Sequence, residues 1–473
     1  MSSQESTKPS AIGEHPVTTR APLRAGVTIV THFVVDVFSF IGIALLPMLA
    51  VLLEIRPEQK ALLLALGSVC SGAVQPLIAW ASDRYDTRAF GTAGFVIAVL
   101  CIGNLGYAQD FTQLAILYSL GAMGIGAFHP PAAATVGQLG GAKRSKYVAI
   151  FFLAGMIGGI VGNVFTPVYV DWMTPDAVLI ADGTAGPRDG LLALRWFIPV
   201  GLVSALILAI AIHKSSHRHH AAHEHQGSWD RKERRTRWFA VWVLYATNVL
   251  RFTTNMALVY LFTEWASRYI LVREGAEEMT EQLGIQASQV NGTLQAAMQI
   301  GMGGGGIVLG FLLAARFEKA VFVLFPILGA LSIALIPGLS ELDPALGRWA
   351  VWVAAIVSGI GFGSAIPVSM SLAQRLLPHR TSLVSGLMLG GAWMLSFLGP
   401  MGAELVQNGL VSKRSVPNFV TSFVDKLPQG IADNIINGMG LDSAFMVTAI
   451  VLACSGCIAL FLPHALIVRS ADQ

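Results

Sequence analysis

The sequence predicts an all-α polytopic membrane protein, with twelve transmembrane helices in two pseudo-symmetric six-helix halves. Three observations predict it. Of the 473 residues 54% are hydrophobic and only 12% charged, whereas a soluble domain is about a quarter charged. So few charges cannot cover a soluble protein of this size. The apolar residues come in long blocks, of about the 20 residues needed to cross a bilayer. The 49 glycines suit helices that associate in lipid by close backbone approach. A net charge of +3 makes no electrostatic case for nucleic acid.

Residues 1–25 are polar, carry Pro9, Pro16 and Pro22, and contain no apolar stretch of signal-peptide type. They are expected to form a disordered cytosolic tail. The apolar blocks then predict spans 1 to 12 at 26–53, 61–82, 89–108, 112–140, 146–171, 192–213, 238–265, 290–315, 320–338, 346–374, 382–406 and 442–468. Links after even-numbered spans are basic: Arg84 and Arg88, then Lys143, Arg144 and Lys146, then seven Lys and Arg residues between Lys214 and Arg237, then Arg316 and Lys319, then Arg375 and Arg380. The odd-numbered links are mixed or acidic. Positive charge is retained on the cytosolic side, so both termini are expected in the cytosol of a cell whose inner (plasma) membrane holds the chain.

Residues 214–237 separate an N-terminal half, 26–213, from a C-terminal half, 238–469. This linker region is rich in histidine (His217, His219, His220, His223 and His225, with His213 at its edge). Without a companion cysteine or carboxylate cluster it reads as a solvated linker before it reads as a metal-responsive loop. The halves repeat weakly. Gly124-Ile125-Gly126 in span 4 matches Gly359-Ile360-Gly361 in span 10, and Ser82-Asp83-Arg84-Tyr85 matches Ala314-Ala315-Arg316-Phe317. Parallel repeats of this kind place a transport site between the halves. The four cysteines lie in apolar blocks, and Cys454 and Cys457 read as packing. No cofactor and no metal site is expected.

Ionisable groups inside membrane helices are costly and mark function by default. His32 and Asp36 in span 1 are one turn apart and share a face, so Asp36 is the expected proton-coupling group with His32 modulating it. His129 precedes Pro130 and Pro131 in span 4, where two missing backbone donors should bend or break the helix. Arg251 in span 7 shares a face with Asn248 and Asn255, a plausible anion clamp or a charge partner for Asp36. Asn291, Gln295 and Gln299 line one face of span 8, and Gln75 lies beside Pro76 in span 2; such amides serve as interhelical glue or as ligand contacts. Glu264, Arg268 and Glu404, near span ends, read as interfacial. Residues 407–441 form a long segment before span 12, an amphipathic lid or an insertion.

These residues together resemble the fosmidomycin-resistance group of major facilitator transporters, over most of both halves. His32-Phe33-Val34-Val35-Asp36 is similar to its H-x-x-x-D opening, and Gln75-Pro76 followed by Asp83-Arg84 to its Q-P and the superfamily's G-x-x-x-D-R-x-G-R-R loop. Phe128-His129-Pro130 is similar to its F-H-P-E, and Ala373-Gln374-Arg375-Leu376-Leu377-Pro378 with Ser385-Gly386-Leu387 to its A-Q-E-L-L-P and S-G-L. The resemblance implies the major facilitator fold and proton-driven export of small anionic or amphiphilic compounds. It also implies a cytosolic gate at Asp83, with Arg84 and Arg88 beside it. The chain departs from the group at Pro131 and Arg375, where glutamates are usual, and at Ala315, where the second gate signature has lost its aspartate.

The function expected is secondary active transport, a proton-coupled antiporter exporting a small organic anion. The expected partners are protons, the substrate and the bilayer, with the chain acting as a monomer. The expected substrate contacts are Arg251, His129, Asn248, Asn255, Gln75, Gln295 and Gln299. Proton-coupled uptake or uniport runs on the same parts, and a transporter-like sensor or scaffold is a reading from another class. No nucleophile–base pair suggests an enzyme.

Overall fold

A computed structural model describes residues 21–84, 88–175, 188–212, 229–410, 424 and 426–470. These form a bundle of twelve membrane helices in two halves of six, with no strand among the described residues. Span 1 is Ala21–Ala44 continued by Leu46–Leu52, broken at Leu45 just before Pro47. Spans 2 to 6 are Pro57–Arg84, Arg88–Gly103, Phe111–Gly140, Arg144–Met173 and Phe197–Ile212. Spans 7 to 9 are Arg231–Glu274, Glu281–Leu312 and Glu318–Ser340. Span 10 breaks between Pro344–Gly363 and Ile366–Leu376, ahead of Pro367. Span 11 runs from Thr381 to Asn408 and contains a π turn at Leu387–Gly391. Span 12 is Gly440–Ala459.

Nine helices among the described residues are long and apolar enough to cross a membrane. Span 3 falls short of that standard in length. Spans 7 and 8 fall short in hydropathy, and the polar residues in their middle stretches that lower it, among them Asn248, Arg251, Asn255, Asn291, Gln295 and Gln299, are buried among other helices. Span 7 has 44 residues, about 66 Å at the α-helical rise, and so projects past a hydrocarbon core of about 30 Å. Asp230 caps its start by accepting from the Glu233 backbone N–H, and Gly275 ends it in the left-handed conformation at φ 62°.

Several expectations change here. The first helix begins at Ala21, inside the stretch read as tail, and residues 1–20 lie outside the described residues. Span 7 begins at Arg231, so the last residues of the basic linker are helical. Arg237 is fully buried, paired with Glu233 at 2.8 Å and donating to the Leu376 carbonyl at 3.2 Å. The rest of the linker, from 213 to 228 with all six histidines, lies outside the described residues. Pro130 and Pro131 sit within one continuous helix, Phe111–Gly140. Cys454 and Cys457 are exposed on the outside of the bundle. Glu404 is fully buried, where an interfacial position was expected. Of the 407–441 segment, Phe419 and Phe423 lie outside the described residues. Its helix Gln429–Asn437 is tied back to the end of span 11 by Leu410 N–H to Ile435 O at 3.0 Å and Met439 N–H to Val406 O at 2.7 Å.

The glycines of the weak repeat take like positions in the two halves when the motif match is shifted by two residues. A Cβ on Gly124 would strike span 3 at Gly94 and Ala98, and one on Gly361 would strike span 9 at Gly329. Gly126 packs on span 2 at Ser71, and Gly363 on span 8 at Met302. Gly124 therefore corresponds to Gly361 and Gly126 to Gly363. At Gly124, Gly126 and Gly361 the neighbour is helix backbone, too close for a side chain, and at Gly363 it is the Met302 side chain.

The halves meet unevenly. One large apolar core joins both halves, and in the N-terminal half it runs on to Val136, Leu208 and Ile212 at the even-link end. At that end the C-terminal half has a separate core of its own, from Ala240 and Leu244 to Leu376 and Ile467. Polar contacts also join the halves. Asn291 donates to the Ile43 and Ala44 carbonyls at 2.8 and 3.4 Å, the Met48 N–H to Ser288 Oγ at 3.1 Å, and Gln289 to Asp171 at 2.9 Å, while Lys60 pairs with Glu264. All lie at the odd-link end.

Candidate functional site

Spans 1, 4 and 5 converge on Asp36. Span 5 lies close against span 1 because Gly155, Gly158 and Gly162 present no side chain. A Cβ on Gly162 would lie 2.5 Å from the Val37 carbonyl oxygen, and one on Gly155 2.5 Å from Asp36 Oδ2. This approach brings the Phe151 carbonyl within 2.7 Å of His32 Nδ1 and stacks the Phe151 ring on the imidazole, centroids 3.8 Å apart. Span 4 supplies His129, whose Nδ1 lies 2.7 Å from the Ile125 carbonyl one turn back.

A carbonyl only accepts, so each Nδ1 carries a hydrogen, and in the neutral ring Nε2 is the bare nitrogen. Both bare nitrogens face one carboxylate: His32 Nε2 is 3.4 Å from Asp36 Oδ2, and His129 Nε2 is 3.3 Å from Asp36 Oδ1. Ser39 donates to Asp36 Oδ1 at 3.3 Å. The His32 side chain is 2% exposed, Asp36 15% and His129 28%. The group is therefore enclosed on the His32 side and accessible on the His129 side. Chemically it is a place for a cation. Two lone pairs directed at a carboxylate repel it unless a proton or a metal ion lies between them.

Sequence reasoning pairs His32 with Asp36 and treats His129 as a separate substrate contact; the structure joins all three. It also adds Phe151, Gly155 and Ser39, of which the Gly155, Gly158, Gly162 stripe was visible as small residues on one helix face.

Arg251 is not joined to this group. It is fully buried within the C-terminal half, donating from Nη2 to the Phe322 carbonyl at 3.1 Å with its guanidinium 5.3 Å from the Phe322 ring. It is thus no charge partner of Asp36 in this conformation. Its Nε and Nη1 have no hydrogen-bond partner among the described residues. Asn248 is buried on Ser369 Oγ at 2.8 Å and the Met388 carbonyl at 3.3 Å, and Asn255 is buried one turn beyond Arg251. Gln295 donates to Val259 O and to Asn291 Oδ1, both at 3.1 Å. Gln299 lies across the half interface against Gly159, and its Oε1 has no partner among the described residues. Gln75 lies beside Gly390 where span 2 meets span 11. Asp83 and Arg84 end span 2 and Arg88 opens span 3, with their side chains outside the described ones. Arg375 is held by Glu318, with both oxygens 2.6 Å from Nη2.

Comparison with known proteins agrees with this architecture. The fosmidomycin resistance protein of Escherichia coli (strain K12) is 21% identical over 404 residues, which is 84% of this chain and 90% of that one. Among solved structures, a bacterial homologue of the human lysosomal transporter Spinster, inward-facing and unoccupied, matches with a TM-score of 0.60 at 17% identity, covering 97% of this chain and 98% of that one. The nucleoside transporter NupG matches with a TM-score of 0.62 at 12% identity, covering 93% and 99%. The sequence profile of the Major Facilitator Superfamily matches residues 28–400. This chain, a multi-pass membrane protein, belongs to the Major Facilitator Superfamily.

Proposed function

We propose that the protein exports a small organic anion across the inner membrane, driven by the proton gradient through alternating access. The observation that carries this reading is the His32–Asp36–His129 group. It is a carboxylate inside the membrane with two imidazoles aimed at it, enclosed beside His32 and more exposed beside His129. Asp36 takes the proton, and the two Nε2 atoms share and release it. With both termini in the cytosol, the odd-link end, where the polar contacts between the halves lie, is the outer one. Asp83, with Arg84 and Arg88, then forms the cytosolic gate, where a carboxylate interacts with the N-terminal end of a helix of the other half. The similarity to a fosmidomycin resistance protein supports export.

The anionic preference rests on Arg251. A buried guanidinium with two unpaired donors costs about 1–3 kcal/mol for each, a cost that an oxyanion reaching it in another step of the cycle removes. Asp36→Asn in liposomes tests the coupling: flux driven by a pH gradient is abolished while counterflow exchange survives. Full gradient-driven transport by that variant ends the proton-coupled reading. A binding screen with matched anionic, neutral and cationic compounds tests the substrate class, and binding of cations without anions overturns it.

A further inference from the structure

The same three side chains have the geometry of a metal site, and we propose that His32, Asp36 and His129 bind one divalent transition-metal ion of the zinc class. One ligand atom from each lies within 4.8 Å of the others. His32 Nε2 lies 3.4 Å from Asp36 Oδ2 and His129 Nε2 3.3 Å from Asp36 Oδ1, each close to the edge of about 3.4 Å of a tetrahedron around an ion with ligand bonds of about 2.1 Å. An ion between the imidazoles therefore meets one carboxylate oxygen after a small turn of Asp36 or both oxygens as they stand. Two imidazoles and one carboxylate are a donor set for zinc, cobalt or nickel; magnesium and calcium prefer oxygen alone.

Second, independent observations point to a ligand. His32 Nε2 is buried, aimed at the carboxylate, and has no hydrogen-bond partner among the described residues. Both histidines spend Nδ1–H on a backbone carbonyl at 2.7 Å, which is how metal-ligating histidines are held in one tautomer. Ser39 holds the ligating carboxylate in turn. Three protein ligands leave a fourth position, on the more exposed His129 side, for water or an anion. Two neutral imidazoles, one carboxylate and a divalent ion carry a net charge of +1, which favours an anion there.

This inference does not depend on proton coupling, because occupancy is read from a spectrum and not from flux. The experiment titrates Co2+ into the full-length protein, purified without a histidine tag, in a background where His213, His217, His219, His220, His223 and His225 are replaced by serine. The expected result is one equivalent bound, with the intense visible bands of a tetrahedral ion that Zn2+ displaces and Mg2+ does not. His129→Gln, at the more exposed ligand, should fold normally by size exclusion and weaken binding by about 10–100-fold. X-ray absorption of the zinc-loaded background protein should show two imidazoles in the first shell, a readout that needs no ligand variant. Binding that vanishes with the linker histidines, an octahedral spectrum, or affinity unchanged in His129→Gln each overturns the proposal.

Discussion

Asp36 is surrounded without slack, and Gly155 shows how little room remains. A Cβ at that position would lie 2.5 Å from Asp36 Oδ2 and 2.7 Å from His32 Nε2. Gly155→Ala therefore pushes span 5 away from span 1 or turns the His32–Asp36 pair. Overpacking of this kind costs about 1–3 kcal/mol, so the variant should melt lower and lose gradient-driven transport more than substrate binding. Unchanged flux in liposomes would show that the close approach is not needed. Arg251 makes a complementary case. Arg251→Met replaces a buried, incompletely paired charge with an apolar chain of similar length. Such exchanges are often neutral or stabilising by about 1–4 kcal/mol. The variant should melt at or above the wild-type temperature while losing anion binding. A lower melting temperature with binding intact would make Arg251 structural.

Span 8 decides at the element scale what joins the halves. Its Asn291 satisfies the carbonyls left over where span 1 breaks at Leu45, since the last turn of a helix has acceptors without intrahelical partners. Beside it, Lys60 of span 2 and Glu264 of span 7 form an ion pair between halves, each side chain nearly buried. Breaking a buried pair by removing one partner costs about 3–5 kcal/mol, because the other charge is left behind. Lys60→Ala should therefore disfavour this closed arrangement. Labelling of single cysteines at the odd-link end should become faster, and Lys60→Glu combined with Glu264→Lys should return it towards wild type. Equal labelling in Lys60→Ala would show that the pair does not hold the closure. Span 11 contributes differently. Its π turn at Leu387–Gly391 lies where Gly390 meets Gly72, Gln75 and Pro76 of span 2, and π turns often mark positions where a helix must adjust.

Across the whole molecule, one apolar core joins the two halves and a second lies wholly within the C-terminal half, an arrangement the proposed alternating-access cycle would have to part. A reversible lock tests that cycle. A Cβ on Gly284 would stand 3.2 Å from the Met48 Cα, close enough for a disulfide between Met48→Cys and Gly284→Cys. Oxidation should fix the odd-link end closed and stop transport, and reduction should restore it. Full transport by the oxidised protein would mean that this end never opens.

Much of this was legible in the chain itself. The bilayer demands long apolar blocks with internally satisfied backbones, so the twelve spans follow from composition along the chain. The cost of charge in lipid singles out His32, Asp36, His129 and Arg251. Helical period places His32 with Asp36 and Asn248 with Arg251, because neighbours on one helix face are a local property. What periodicity does not contain is which helix faces which. Only the packing of spans 4 and 5 on span 1, permitted by Gly155, Gly158 and Gly162, turns His129 onto Asp36 and gives His32 its carbonyl partner at Phe151. Only the packing within the C-terminal half sends Arg251 to Phe322 and away from the histidines. Charges in a membrane interior are placed by the side chains that enclose them, and those come from distant parts of the sequence.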